Sequence, residues 1–319
     1  MHNNDSLSIY IPCNVAPLCL PGYNILKFGT DLILPESQFR LGKGGTASIY
    51  VGTLINPKLV EKHGFNSVAI KVFPPHSGQN ESFRYEVAIM NLIPSNPNTV
   101  KFVGYTEAPQ PAIVMKQYED SLYNLIQNGS IEPDLAFKAA RDIASGLQLI
   151  HSINILHLDV KPQNMLWERL SNGSLNFCIC DFGFASLVGD SRDIVSGLRV
   201  PKTVGVSVRY TAPEVFVYLS MAVNGGRLES ELSKKIDIYS YGISMYEMLL
   251  GSLFWKELTT FEEIIQKISA GERPSISSIP LAMQENTRSR LLIEIVKMCW
   301  SHSALERPSF AQICEILSR

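Results

Sequence analysis

The period of the apolar residues changes near Tyr118, so no single regular architecture accommodates both parts of this chain. Upstream, Ser48-Ile49-Tyr50-Val51 and Val68-Ala69-Ile70-Lys71-Val72 are short β-branched runs bounded by Gly or Pro, the pattern of strands. One helix interrupts them, with Phe83, Val87, Met90 and then Ile93 on an apolar face and Glu86 on its polar side. Downstream the apolar spacing becomes helical. Pro133 and Asp134, after Ser130, mark a helix start that Leu135, Ala139, Ile143 and Leu147 continue. Tyr239–Leu250, Phe261–Ile268, Leu291–Trp300 and Phe310–Leu317 repeat the pattern. The fold class is therefore α+β: a small β-rich lobe with one helix, then a larger, mainly helical lobe, with a cleft between them as the default ligand site. Residues 1–30 are polar, then Pro-punctuated and without a period, and read as a flank.

Several function classes fall away on composition. A length of 319 residues suits one large domain or two packed lobes, and 45% hydrophobic residues can bury a substantial core. The formal net charge is −2 with no long basic or acidic run, which gives no support to nucleic-acid or membrane-surface binding. Cys13, Cys19, Cys178, Cys180, Cys299 and Cys314 lack zinc-site spacing and are sparse for a disulfide framework, so reduced thiols in a cytoplasmic protein are expected. No apolar run reaches the ~18 residues of a membrane span, and the first twenty residues lack the basic start of a signal peptide. A cytoplasmic chain, or the cytoplasmic part of a larger membrane protein, is the expectation.

Chemistry concentrates in four places. Leu41-Gly42-Lys43-Gly44-Gly45-Thr46-Ala47-Ser48-Ile49 is a glycine-rich turn between strands, where missing Cβ atoms let backbone approach phosphate oxygens. A strand rather than a helix follows it, which argues against a Walker loop or a Rossmann turn. Lys71 closes an otherwise apolar strand; it is either a snorkelling surface lysine or an ammonium aimed into the cleft and steadied by Glu86. His157-Leu158-Asp159-Val160-Lys161-Pro162-Gln163-Asn164 places Asp159 and Asn164 in one loop, where a carboxylate can orient a hydroxyl while an amide oxygen coordinates a metal. Asp181-Phe182-Gly183, after the apolar strand Phe177-Cys178-Ile179-Cys180, puts a second carboxylate at a strand end beside a glycine, as a Mg²⁺ ligand would be.

Together these segments resemble the protein-kinase signature set: glycine-rich loop, V-A-I-K, helix glutamate, H-x-D-x-K-x-x-N, D-F-G and A-P-E, the last supplied by Ala212-Pro213-Glu214. Asp237 in Asp237-Ile238-Tyr239-Ser240-Tyr241-Gly242 and Arg307 in Glu306-Arg307-Pro308-Ser309-Phe310 extend the match. The Cys299-Trp300 ending and Pro97-Asn98-Thr99-Val100 most resemble the tyrosine-kinase-like group. The resemblance runs from about residue 31 to the end, dividing into a small lobe at about 31–115, a hinge at about 116–119 and a large lobe at about 120–319. Stopping just after the last helix, the chain reads as a compact kinase or as a piece of something longer.

The resemblance implies transfer of the γ-phosphoryl group of Mg-ATP (Mn²⁺ being an alternative metal) to protein hydroxyls. It implies that Gly42 and Gly44 cover the phosphates, and that Lys71 holds them while paired with Glu86. Asp159 would orient the substrate hydroxyl, Lys161 steady the γ-phosphate, and Asn164 and Asp181 hold the metal. Met115 falls at the gatekeeper position, with Lys116 and Tyr118 offering backbone hydrogen bonds to adenine and Leu41, Ile49, Ala69 and Leu166 sandwiching the purine. Met90, Phe102, His157 and Phe182 match the residues stacked through an active kinase, and Glu214 and Arg307 a buried structural pair.

Departures from the pattern bear on regulation. Ala47 replaces a glycine, Val206 and Ser207 stand where Gly-Thr is usual, and Ser207 keeps a hydroxyl that could bond Asp159 and Lys161. Leu158 replaces the arginine that usually docks an activation-segment phosphate, leaving Arg192, Arg199, Lys202 and Arg209 as possible receivers. Lys161-Pro162 resembles serine/threonine kinases; a tyrosine or dual-specificity kinase, and a pseudokinase acting as an ATP-binding scaffold, are the alternatives. Protein substrates bearing Ser or Thr are the implied partners, with flanking regulatory domains or activators beside them.

Overall fold

The computed structural model describes residues 24–34, 40–43, 47–74, 80–129, 131–187, 207–222 and 230–319; at 40–43, 80–81, 207, 218–222 and 230–233 it describes the backbone alone. The described residues up to Glu119 form one compact unit and those from Asp120 onward belong to a second.

The first unit is built on an antiparallel sheet. Its strands are β1 (Leu32–Ile33), β2 (Arg40–Lys43), β3 (Ser48–Leu54), β4 (Ser67–Val72), β5 (Phe102–Thr106) and β6 (Ala112–Lys116), in the order β1-β3-β4-β6-β5 with β2 also on β3. The alternation of side chains decides what each face does. Val68, Ile70 and Val114 turn one way and join Leu26, Leu32, Leu54, Val103 and Ala112 in a core, each large aliphatic contributing about 1.5–3 kcal/mol by its burial. Residues 24–30, read from the sequence as flank, lie on this sheet: Leu26 N–H donates to Tyr105 O at 2.8 Å. Gly104 permits that approach, because a Cβ there would stand 2.4 Å from Asn24 O.

Among the described residues this unit has two helices rather than the one expected. α1 (Pro57–His63) is capped by Asn56, whose side chain accepts from Lys58 N, starts with a proline, and stops at Gly64 with φ 78°. None of its residues is fully buried, and only Leu59 and Val60 pack against the core, an apolar stripe too short to mark a helix in the sequence. α2 (Asn80–Leu92) is the expected helix and ends before Ile93.

The second unit is mainly helical. The short β7 (Asp120–Ser121) leads into α3 (Leu122–Gln127) and α4 (Pro133–Ser152), which starts at its proline with Glu132 as N-cap. β8 (Ile155–Leu156) pairs with β11 (Ser186–Leu187), and β9 (Met165–Arg169) forms a hairpin with β10 (Leu175–Ile179). Then come α5 (Pro213–Ala222), α6 (Ser230–Leu250), α7 (Phe261–Ser269), α8 (Leu281–Glu285), α9 (Thr287–Cys299) and α10 (Phe310–Leu317). Residues 236–249 of α6 are buried without exception, which makes it the central helix of the unit. Gly242 lets α9 pack close, since a Cβ there would stand 2.5 Å from Cys299 Cβ.

Among the described residues Cys178, Cys180, Cys299 and Cys314 are not joined in disulfides, while Cys13 and Cys19 lie outside the described residues. Among the described residues no helix is long and apolar enough to cross a membrane.

Candidate active site

In the first unit, cross-strand register collects the expected nucleotide-contacting side chains on one face. Ile49 stands opposite Lys71, Val51 opposite Ala69, and Ala69 opposite Met115; directly opposed residues share a face, the reverse of the one carrying Val68 and Ile70. β2 brings the Leu41 and Gly42 backbone alongside, with Gly42 opposite Ile49. Gly44 lies outside the described residues, as do the side chains of Leu41 and Ser207.

Lys71 Nζ meets both oxygens of Glu86, at 2.7 and 2.9 Å. Glu86 is not on the polar side of α2, as the sequence suggested. It is 2% exposed and belongs to the buried stripe with Phe83, Val87 and Met90. A carboxylate survives in such a stripe because the ammonium is brought to it. Lys116 N–H is engaged by Lys101 O at 2.9 Å, and the Tyr118 hydroxyl accepts from Lys101 N.

The second unit organises the loop between β8 and β9. The Asp159 carboxylate receives Lys161 Nζ, 2.8 Å from Oδ2 and 3.0 Å from Oδ1, and Asn164 Nδ2 at 2.9 Å. Asn164 Nδ2 also donates to Asp159 O at 2.8 Å, so its amide oxygen remains as a ligand atom. A 3-10 turn, Pro162–Asn164, produces this arrangement. Burial pushes the Asp159 carboxyl above its ordinary range; Lys161 pulls it back, and the Asp181 carboxylate adds to the rise. Leu166, on β9, stands opposite Cys178 and Ser121.

Asp237, from α6, anchors the loop from beneath. Its Oδ2 accepts His157 N–H at 2.8 Å and lies 2.8 Å from His151 Nε2, while Oδ1 accepts Leu158 N–H at 2.7 Å. Burial would raise this carboxyl, but the hydrogen bonds and the two histidines outweigh it and hold Asp237 below its ordinary value. His157 Nε2 meets Cys180 O at 2.9 Å and Nδ1 accepts Asp159 N–H, an arrangement that puts the ring proton on Nε2. Phe182, 1% exposed, packs against the His157 ring at 5.2 Å. Asp181 itself takes a left-handed backbone, φ 65°. Glu214 and Arg307 form the expected pair, bidentate at 2.6 and 2.9 Å.

The sequence reading singled out Asp237 without a role and missed His151. Its only local signal was a polar residue in the last turn of an apolar-periodic helix, a place histidine also takes for the helix dipole. Arg209 does not stand ready for a phosphate: its guanidinium donates to Phe254 O, Trp255 O and Leu258 O.

A family model described as protein kinase domain matches residues 36–317. The chain belongs to the protein kinase family. Its relatives include serine/threonine-protein kinase STY46 of Arabidopsis thaliana, 27% identical over 92% of this chain and 44% of that protein. Receptor-interacting serine/threonine-protein kinase 3 of Homo sapiens is 28% identical over 87% of this chain and 50% of its own length. Dual specificity protein kinase pyk3 of Dictyostelium discoideum is 28% identical over 92% and 19%. The kinase domain described here therefore spans half or less of the length of these relatives. The relatives are in keeping with the tyrosine-kinase-like resemblance, and the two units have the β-rich and helical composition of the protein kinase fold.

The family uses ATP and a divalent cation in general. The residues present fit such a cation: the Asn164 amide oxygen is turned away from Asp159, and the Asp181 carboxylate is near enough to Asp159 to raise its pKa. Among the described residues no cluster of three His, Cys, Asp or Glu side chains forms a metal site. A hard cation here would take its remaining ligands from water and phosphate oxygens.

Proposed function

We propose that this kinase domain transfers the γ-phosphoryl group of ATP to serine or threonine hydroxyls of other proteins, using Mg²⁺. The observation that carries the reading is the Asp159 carboxylate, held by Lys161 and Asn164 on a loop pinned to Asp237. A carboxylate so fixed can accept or orient the proton of an incoming hydroxyl. Lys161, on the same carboxylate, is placed to steady the transferred group. Asn164 and Asp181 are the residues that would hold the cation, which when bound offsets phosphate charge. Lys71, steadied by Glu86, neutralises the phosphates. Leu41, Gly42, Gly44, Ile49, Ala69, Met115, Lys116, Tyr118 and Leu166 form the nucleotide's surroundings.

Lys161-Pro162 and the serine/threonine kinases among the relatives support hydroxyl specificity for Ser and Thr. We assign the domain to about 31–319, with a small lobe at about 31–115, a connection at about 116–119 and a large lobe at about 120–319. Cytoplasmic location and control by flanking domains or activators belong to the same reading. The test is transfer from labelled ATP to a peptide array. Asp159→Asn should lower kcat by about 10²–10⁴-fold while nucleotide affinity stays nearly intact, and Asp181→Ala should weaken Mg-dependent nucleotide binding as well. If Asp159→Asn keeps more than about a tenth of the wild-type kcat, the assignment fails.

A further inference from the structure

Residues 24–34 are tied to the sheet of the first unit at both ends. Ile25 bridges Tyr105 in parallel, while Leu32 and Ile33 pair with Leu54 and Thr53 of β3. β5 ends the strand order, so Ile25 pairs along its outer edge. Leu26 and Leu32 sink into the core with Val68, Ile70 and Val114.

The same segment reaches α2. Asn24 Nδ2 donates to Asn91 Oδ1 at 2.8 Å, and Asn91 Nδ2 donates to Val87 O at 2.9 Å. One side-chain amide thus joins the segment to the carbonyl of the residue after Glu86. Backbone contacts place Asn24 for this: its carbonyl lies against Gly104, and Leu26 N–H is held by Tyr105 O. Tyr105 is itself buried, with its ring 6.1 Å from that of Phe83 on α2.

α2 requires directional contacts to be placed. Phe83, Val87, Ile89 and Met90 bury its apolar side, but apolar burial is non-directional and lets a helix turn or slide. Glu86 meets Lys71 near the middle of the helix, and Asn91 meets Asn24 in its last turn. Arg84 and Glu107, 3.7 Å apart and each about half exposed, add little. We propose that Asn24 and Asn91 are positioning residues: residues 24–26, through Asn91, latch α2 where Glu86 meets Lys71. The kinetic part of this proposal rests on the phosphotransfer reading above. Residues 24–34 precede the stretch that matches the family. The latch is therefore a route by which a flanking regulator would reach the Lys71–Glu86 pair.

Hydrogen–deuterium exchange of the whole chain tests the latch without any nucleotide. In Asn24→Ala and in Asn91→Ala, peptides covering 80–92 should exchange about three- to tenfold faster than in wild type, the worth of one ordinary hydrogen bond. Peptides covering 236–249 should be unchanged. Acetylation of Lys71 by acetic anhydride, read by mass spectrometry, should quicken too, because the buried amine is reached when its pair with Glu86 opens. A segment that merely covered the sheet edge would leave that labelling as in wild type. The double variant should be no worse than Asn91→Ala, because both break one connection. In turnover, each variant should lower kcat/KM for ATP about three- to tenfold. Unchanged exchange at 80–92, unchanged Lys71 labelling or additive losses in the double variant overturns the proposal. Faster labelling with a wild-type kcat/KM overturns the positioning role. If Asn91→Ala does not fold, Asn24→Ala decides the result alone. A wild type that transfers no phosphate refutes the functional reading and leaves exchange and labelling to judge the latch.

Discussion

Leu158 holds a left-handed backbone, φ 62°, while its N–H donates to Asp237 Oδ1 at 2.7 Å. A leucine has no side-chain reason to adopt that conformation, which costs of order 1 kcal/mol or more. The carboxylate of a buried aspartate on α6 imposes it, and the same turn of backbone delivers Asp159. Asp237→Asn should therefore do more than remove a charge. An amide presents a donor where two backbone N–H groups and His151 all need acceptors, so at least one buried donor is stranded, at roughly 1–3 kcal/mol. Urea denaturation should show a lower midpoint with an unchanged slope, together with a loss of transfer.

The leucine side chain also bears on regulation. Ser186, Ser191, Ser196, Thr203 and Ser207 are the hydroxyls between Asp181 and Glu214 considered for phosphorylation. Ser186 is fully buried, and the other four lie outside the described residues or have only their backbone described. A phosphate orders a segment only where a cation receives it; Leu158 offers none, and Arg209 is engaged by three carbonyls. Phosphatase treatment, verified by mass spectrometry, should leave the initial rate within about twofold, whereas an arginine receptor is worth roughly 1.5–3 kcal/mol per charged hydrogen bond. A tenfold fall, reversed on rephosphorylation of one residue, would refute this.

Exchanging Lys71 for methionine should abolish transfer. From the sequence alone, little loss of fold is the expectation. With Glu86 only 2% exposed, that changes: taking away the ammonium leaves a carboxylate in an apolar stripe, and breaking a buried pair costs about 3–5 kcal/mol. Lys71→Met should therefore melt earlier than wild type. Lys71→Met combined with Glu86→Leu should regain much of the lost stability and remain inactive. A single variant that melts with wild type would contradict the burial argument.

Stability should carry a proton-linked signature of Glu247. Its folded value of about 7 lies above an ordinary glutamate value of 4.5, so between those limits the folded protein binds more protons than the unfolded chain. Its contribution is fully present below about pH 4.5 and is lost as pH rises through about 7, at most roughly 3 kcal/mol. Glu247→Gln cannot titrate. Its stability relative to wild type should improve steadily from pH 5 to pH 8 in chemical denaturation, and a pH-independent difference would show that the carboxyl titrates normally.

Legible along the chain are the two composition classes, the strand carrying Lys71, the helix carrying Glu86, and the family, because period and motif are local properties of neighbouring residues. So are Asp159, Lys161 and Asn164, whose meeting requires only one tight turn. Tertiary packing brings together residues far apart in the chain: Asp237 beneath His157 and Leu158, Arg209 fastened to the segment after α6, and Tyr210 against Glu247. The side of α2 on which Glu86 lies was decided there too. A charge is read as solvent-facing until the partner that offsets its burial is known, and that partner arrives from another element. Pairings of this kind are set by packing around α6, and side-chain period along the chain carries no trace of them.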